Sequence, residues 1–86
     1  EEASKQAAAY QEQLRQQQAN KLTACLNQAE EKETSDIAWY MNYYEQKYGK
    51  DWGTNNVANT AFLGNVADVK AETKVNKDEC FKRYPQ

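Results

Sequence analysis

Residues 34–53 read TSDIAWYMNYYEQKYGKDWG, and this stretch predicts a helix with marked ends. Thr34 and Ser35 can accept hydrogen bonds from the free backbone donors at a helix start, and Asp36 is favourable in the first turn. Gly49 is the residue best able to adopt the left-handed conformation that ends a helix. We therefore expect a helix of about three and a half turns between these two signals.

The predicted helix carries a wide aromatic surface. At 100° per residue, its large apolar side chains cover more than half of its circumference. They are Ile37, Trp39, Tyr40, Met41, Tyr43, Tyr44 and Tyr48. One neighbouring helix cannot cover so wide a band, so we expect either two neighbours or an aromatic surface that is left for a ligand.

A second stripe precedes this helix, at spacings of four, four, three and four residues. It consists of Leu14, Gln18, Leu22, Cys25 and Ala29. The stripe predicts a helix with Cys25 on its buried side. The run EEKE at residues 30–33 places anionic side chains where a helix macrodipole opposes them at a C-terminus. We therefore predict that this helix ends between Glu31 and Glu33.

A third stripe follows the polar turn at residues 50–53, and Thr54 or Asn55 can cap its helix. It consists of Ala58, Phe62, Val66, Val69 and Thr73. The same phase continues to Cys80 and Tyr84, so periodicity alone allows one helix from residue 55 to residue 84.

The two cysteines argue against one long third helix if three helices run up, down and up. Such a helix would carry Cys80 about 24 Å past Cys25, whereas disulfide-linked Cα atoms lie within about 7 Å. We therefore predict a chain reversal between Thr73 and Asn76, followed by a short helix at residues 77–84. The predicted fold class is all-α, a small bundle of three helices plus a short C-terminal fourth helix, with one intrachain disulfide.

The cysteine pair also indicates the compartment. Two cysteines 55 positions apart match no metal-ligand spacing, and one disulfide needs an even number. We interpret them as a Cys25–Cys80 bond in an exported protein, periplasmic or extracellular. The alternatives are two reduced thiols in a cytosolic protein and a bond between two chains. The sequence begins at Glu1 without an initiator methionine, which we interpret as a processed or trimmed start.

The composition and the net charge limit which classes of partner the chain can bind. Leu, Ile, Val and Phe number only 11 of 86 residues, so the aliphatic core is thin. The net charge of −2 gives no basic face for nucleic acid and no polybasic segment for anionic lipid. No apolar run approaches the roughly 20 residues of a bilayer span, so we expect no direct membrane insertion. The polar residues 1–13 predict a helical extension or tether, and residues 14–86 form the predicted bundle.

The residues give no sign of catalysis. Histidine is absent, which removes the commonest general base and metal ligand. The three glycines are isolated, and Asp51-Trp52-Gly53 departs from a calcium-loop pattern. We therefore predict no enzyme, no cofactor and no metal. Lys70, Lys74 and Lys77 can form a short basic row that recognises an anion, but three lysines on a helix are more often a solvated face.

Trp39, Tyr43 and Trp52 are the candidate binding residues, because they are least in phase with the buried stripe. We expect them to form an exposed patch for a protein, peptide or sugar, with another protein as the preferred partner. The competing interpretation places the aromatic residues in the core. The predicted function is a non-enzymatic binding module, accessory or inhibitor-like. The alternative is an assembly protein that self-associates through its Gln-rich first helix, and a third possibility makes that helix a tether to a membrane-attached upstream segment.

Overall fold

The computed structural model describes residues 2–86, which form a long antiparallel helical hairpin. Helix α1 spans Glu2–Tyr48, a 3₁₀ turn spans Trp52–Thr54, and helix α2 spans Asn56–Arg83. The principal extents are 71 × 18 × 13 Å, and the radius of gyration is 20.8 Å. A compact domain of this length would have a radius of gyration of about 12 Å. The all-α prediction is confirmed, but the predicted three-helix bundle with a fourth helix is wrong.

The predicted break between the first two helices is absent, because α1 runs through Thr34 and Ser35 without interruption. Lys32 forms an ion pair across this point with Asp36, Nζ to Oδ2 2.7 Å. A break would leave four backbone donors and four acceptors without helical partners. Continuing the helix through a Thr-Ser pair costs only a few tenths of a kcal/mol per residue. The residues of a helix start are therefore present, but the fold does not use them as a cap.

The predicted chain reversal between Thr73 and Asn76 is also wrong, because α2 is continuous to Arg83. Thr73 is buried, and its hydroxyl donates to the Val69 carbonyl oxygen at 3.0 Å, which satisfies it inside the helix. The reversal depends on a three-helix path, and the chain does not follow that path. The stripe that continues in phase to Cys80 correctly indicates one continuous helix.

The Cys25–Cys80 pair is confirmed, with the two Cα atoms 5.7 Å apart. Cys25 precedes Gly49 along α1 by almost the same sequence interval as Cys80 follows Asn55 along α2. Because both helices rise about 1.5 Å per residue, equal intervals from the turn bring the two sulfurs to the same height. The disulfide therefore joins two continuous helices near the open end of the hairpin.

The residues predicted to end α1 and to cap α2 do so in the structure. Gly49 follows the end of α1 with a φ of +93°, a backbone conformation that L side chains rarely adopt. Its amide donates to the Glu45 carbonyl oxygen at 2.8 Å, which closes the last turn. The Asn55 side chain caps α2 by accepting from the amides of Val57 and Ala58 at 3.0 and 3.2 Å. This confirms the predicted cap.

The interior of the hairpin is a single narrow seam. The buried residues are Ala29, Tyr44, Ala58, Val69, Thr73 and Cys80. Two helices touch along one line, so most apolar side chains on their outer sides stay in water. The accessible surface is 6747 Å², about 1,500 Å² more than the roughly 5,200 Å² that a compact protein of this mass exposes.

Helix α1 extends well past the open end of the hairpin. Because α2 ends three residues after Cys80, about the first 20 described residues of α1, or about 30 Å of helix, have no helix beside them. Residues 2–17 are all exposed. We call residues 2–21 the projecting helix. The predicted division at residue 13 stays a prediction, and Glu1 lies outside the described residues.

Candidate interaction surface

The closed end of the hairpin is filled by three rings from different elements. Phe62 of α2 lies edge-on to Trp52 of the turn at 4.9 Å and to Tyr44 of α1 at 6.0 Å between centroids. Tyr44 is buried, and its hydroxyl accepts from Asn65 Nδ2 at 2.6 Å. Trp52 is half-buried and lies 5.7 Å from Tyr44. Among the candidate binding residues, Trp52 thus packs into the end of the seam.

Trp39 and Tyr43 form an exposed pair on α1. Their rings are stacked, with centroids 5.6 Å apart and planes 9° from parallel. The two residues are 61% and 41% exposed. Tyr40 meets the Trp39 ring edge-on at 5.1 Å, and Tyr44 meets the Tyr43 ring edge-on at 5.2 Å. The structure therefore brings two of the three candidates together, while Trp52 is linked to them through Tyr44. Their role in binding stays a prediction.

A negatively charged cleft of about 250 Å³ adjoins the Trp39 ring. Its walls include Asp36 of α1 and Asp68 and Glu72 of α2. Lys32 bridges the helices here, with Nζ 2.7 Å from Asp36 and 2.9 Å from Glu72. Hydrogen bonds to these two carboxylates raise the pKa of Lys32 above its ordinary value, so it remains charged. Three carboxylates against one ammonium leave the cleft negative.

We call the surface formed by these rings and carboxylates the aromatic face. It consists of Trp39, Tyr43, Asp36, Asp68 and Glu72. The two α2 carboxylates were not among the predicted site residues, because a three-helix path does not place them near Trp39. A hairpin does, because Asp36 precedes Gly49 by the same sequence interval as Asp68 follows Asn55. Equal distance from the turn was the signal that could have found them.

Lys47 lies beside the aromatic face, and the predicted lysine row lies elsewhere on the hairpin. Lys47 Nζ lies 5.7 Å from the Tyr43 ring centroid and 5.4 Å from that of Tyr48, within the range of cation–π attraction. In the predicted lysine row, Lys77 pairs with Glu30 across the seam at 3.0 Å. Lys70 and Lys74 line a shallow cleft with it, beside Phe81.

Further features bear on chemistry and on membranes. Within residues 2–86, no group of three or more His, Cys, Asp or Glu side chains is placed to hold a metal ion. In the same described range, neither helix has an apolar stretch that could span a bilayer.

No protein-family model, curated protein or solved structure matches this chain. The proposal about function therefore depends on the hairpin and its surfaces.

Proposed function

We propose that this chain is a non-enzymatic, exported interaction module that binds a partner protein through its aromatic face. The observation that carries the proposal is the stacked Trp39–Tyr43 pair, which is exposed on a molecule with few large side chains to spare for its core. The few residues that carry most of the binding energy at protein interfaces are enriched in tryptophan, tyrosine and arginine, and rings lose little entropy when they are covered.

The pair is held in place before any partner arrives. Trp39 and Tyr43 lie one turn apart on a continuous helix, and the edges of Tyr40 and Tyr44 lie behind them. Rigid presentation reduces the entropy that binding must overcome. The negative cleft beside the rings favours a partner that carries basic side chains around an apolar centre.

Export is supported by the disulfide at the open end of the hairpin. Structural disulfides persist in oxidising compartments, and small domains with thin cores use them most. Rapid alkylation of the natively isolated protein, followed by mass spectrometry, tests this part. We expect both cysteines to resist alkylation until a reductant is added, and two alkylated cysteines without reductant would contradict export.

Site-specific photocrosslinking tests the binding surface. The full chain carries a photoreactive phenylalanine analogue at position 39, or at position 31 as the matched control. Glu31 is exposed and lies eight residues earlier, which places it about 80° away around α1 and about 12 Å along it. We expect a discrete covalent adduct from position 39 and none from position 31. Equal adducts from both positions, or none from position 39, would contradict the proposal.

A further inference from the structure

The projecting helix carries an exposed stripe that has no partner among residues 2–86. Tyr10 and Leu14 are 62% and 46% exposed. With Gln17 and Lys21 they follow spacings of four, three and four residues, so all four lie on one side of the helix. This segment continues α1 and needs no new helix nucleus, but without a packed side its stability depends on helix propensity alone. Packing against another surface would therefore stabilise it.

The hairpin has a matching uncovered surface. The aromatic face exposes Trp39 and Tyr43, and Asp68 extends that face along α2. Val57 and Val75 lie near the same side of α2 as Asp68, within about 20° of it around the helix. Both valines are exposed. The surface excess of about 1,500 Å² per chain exceeds the roughly 800 Å² that each partner buries in a standard interface.

We propose that these two surfaces cover each other in a twofold symmetric dimer. The Tyr10–Lys21 part of one copy's projecting helix packs antiparallel to α1 against the aromatic face of the second copy. The same contact is repeated on the other side of the axis, because a twofold interface uses one patch on both copies. This inference rests on the proposed function, since it names a second copy of the chain as the partner of the aromatic face.

Charge and spacing fix the register. Lys21 is the cation of the projecting stripe, and the cleft that it would meet holds Asp36 and Asp68. Lys21 and Leu14 are seven residues apart, as are Asp36 and Tyr43. Both intervals equal about 10.5 Å along a helix. In an antiparallel arrangement, a lysine at the carboxylates therefore places the leucine on the tyrosine ring.

The dimer accounts for the width of the aromatic band on α1. Where the projecting helix of one copy lies on the hairpin of the other, each cross-section contains at least three helices. Helix α1 then has neighbours on two sides, which is what a band of more than half the circumference requires.

Sedimentation equilibrium of the full chain, from micromolar to millimolar concentration, tests the dimer. We expect a monomer–dimer equilibrium that Leu14→Glu shifts to monomer. The hairpin will still fold in this variant, because Leu14 lies on the projecting helix outside the seam. Lys21→Glu should weaken association about tenfold, the effect of roughly 1.4 kcal/mol over two symmetric ion pairs. Adding Asp68→Lys should restore it.

Lys5→Glu is the matched control, because Lys5 lies about 160° around the same helix from Lys21 and should leave the dimer unchanged. A monomer at every concentration, or a dimer that Leu14→Glu leaves intact, would overturn the inference. So would unchanged association of Lys21→Glu, or weakened association that Asp68→Lys fails to restore. The crosslink at position 39 separates the two proposals: an adduct of twice the chain mass supports the dimer, whereas an adduct with a different protein overturns it and leaves the proposed function standing.

Discussion

Removing the disulfide should cost this protein a large part of its stability. The change is Cys25→Ser with Cys80→Ser, which removes the bond and leaves two small side chains at the same positions. The bond joins residues 55 positions apart, and the loop it closes contains nearly all of the part in which α1 and α2 lie side by side. In the chain-entropy account, closing a loop of this length stabilises the folded state by about 4 kcal/mol.

That magnitude is decisive because the seam is so thin. A chain of 86 residues has a total free energy of unfolding of about 4 to 13 kcal/mol, and the six residues that are buried within the described range 2–86 favour the lower end. For a domain of this size, about 4 kcal/mol corresponds to a fall in Tm of about 16 to 30 °C. We therefore expect the variant to be largely unfolded at temperatures where the parent is helical.

Thermal unfolding followed by far-ultraviolet circular dichroism measures the effect. The parent should lose the same number of degrees when a reductant is added, and the double-serine variant should not respond to reductant, which makes it the internal control. A parent whose Tm falls by less than about 5 °C on full reduction, about 1 kcal/mol or less, would contradict the predicted stabilisation by the disulfide. The helices would then be held together by packing that the seam does not show.

Three substitutions and one hydrogen-exchange measurement test the hairpin itself. Gly49→Ala should destabilise the fold by about 1 to 2 kcal/mol, because Gly49 has a positive φ, whereas Gly64→Ala, in the exposed interior of α2, should stabilise it by about 1 kcal/mol; the same sign for both in urea unfolding would contradict the turn. Ser35→Ala should raise the free energy of unfolding by about 0.5 kcal/mol within a continuous α1, while a loss of about 1 kcal/mol would indicate a helix cap there. In dilute solution, backbone amides of residues 2–17 should exchange with deuterium far faster than those around Tyr44, since that part of α1 has no neighbour; equal protection of the two segments would argue against a free projecting helix.

Local sequence predicted many of the local features. The Ala58–Thr73 stripe and its continuation to Cys80 lie on the buried side of α2, and four members of this series are among the buried residues. Gly49 and Asn55 mark the ends of the helices that flank the turn. These features depend on backbone geometry within a few residues, so a single chain carries their signals in full.

Local sequence also predicted a helix boundary that the structure does not contain. Thr34, Ser35 and Asp36 have the composition of a helix start, yet α1 passes through them. The error at this point produced the second one, because a third helix on an up-down-up path could not reach Cys25. The candidate site was predicted in part for the same reason: Trp39 and Tyr43 are neighbours on one helix, while Asp68 joins them only across the hairpin.

Residue type and spacing were enough to predict the all-α class, the stripes that face the seam, the cysteine pair and the concentration of rings between residues 39 and 52, because each depends on positions along the chain alone. The packing of the folded chain was needed to show that residues 2–86 form two long helices, that the first projects about 30 Å beyond the second, and which rings stay in water. A helix break is the balance between a cap worth about 1 kcal/mol and the continuous hydrogen bonds that it replaces. That balance depends on what packs alongside, which no short window of residues records.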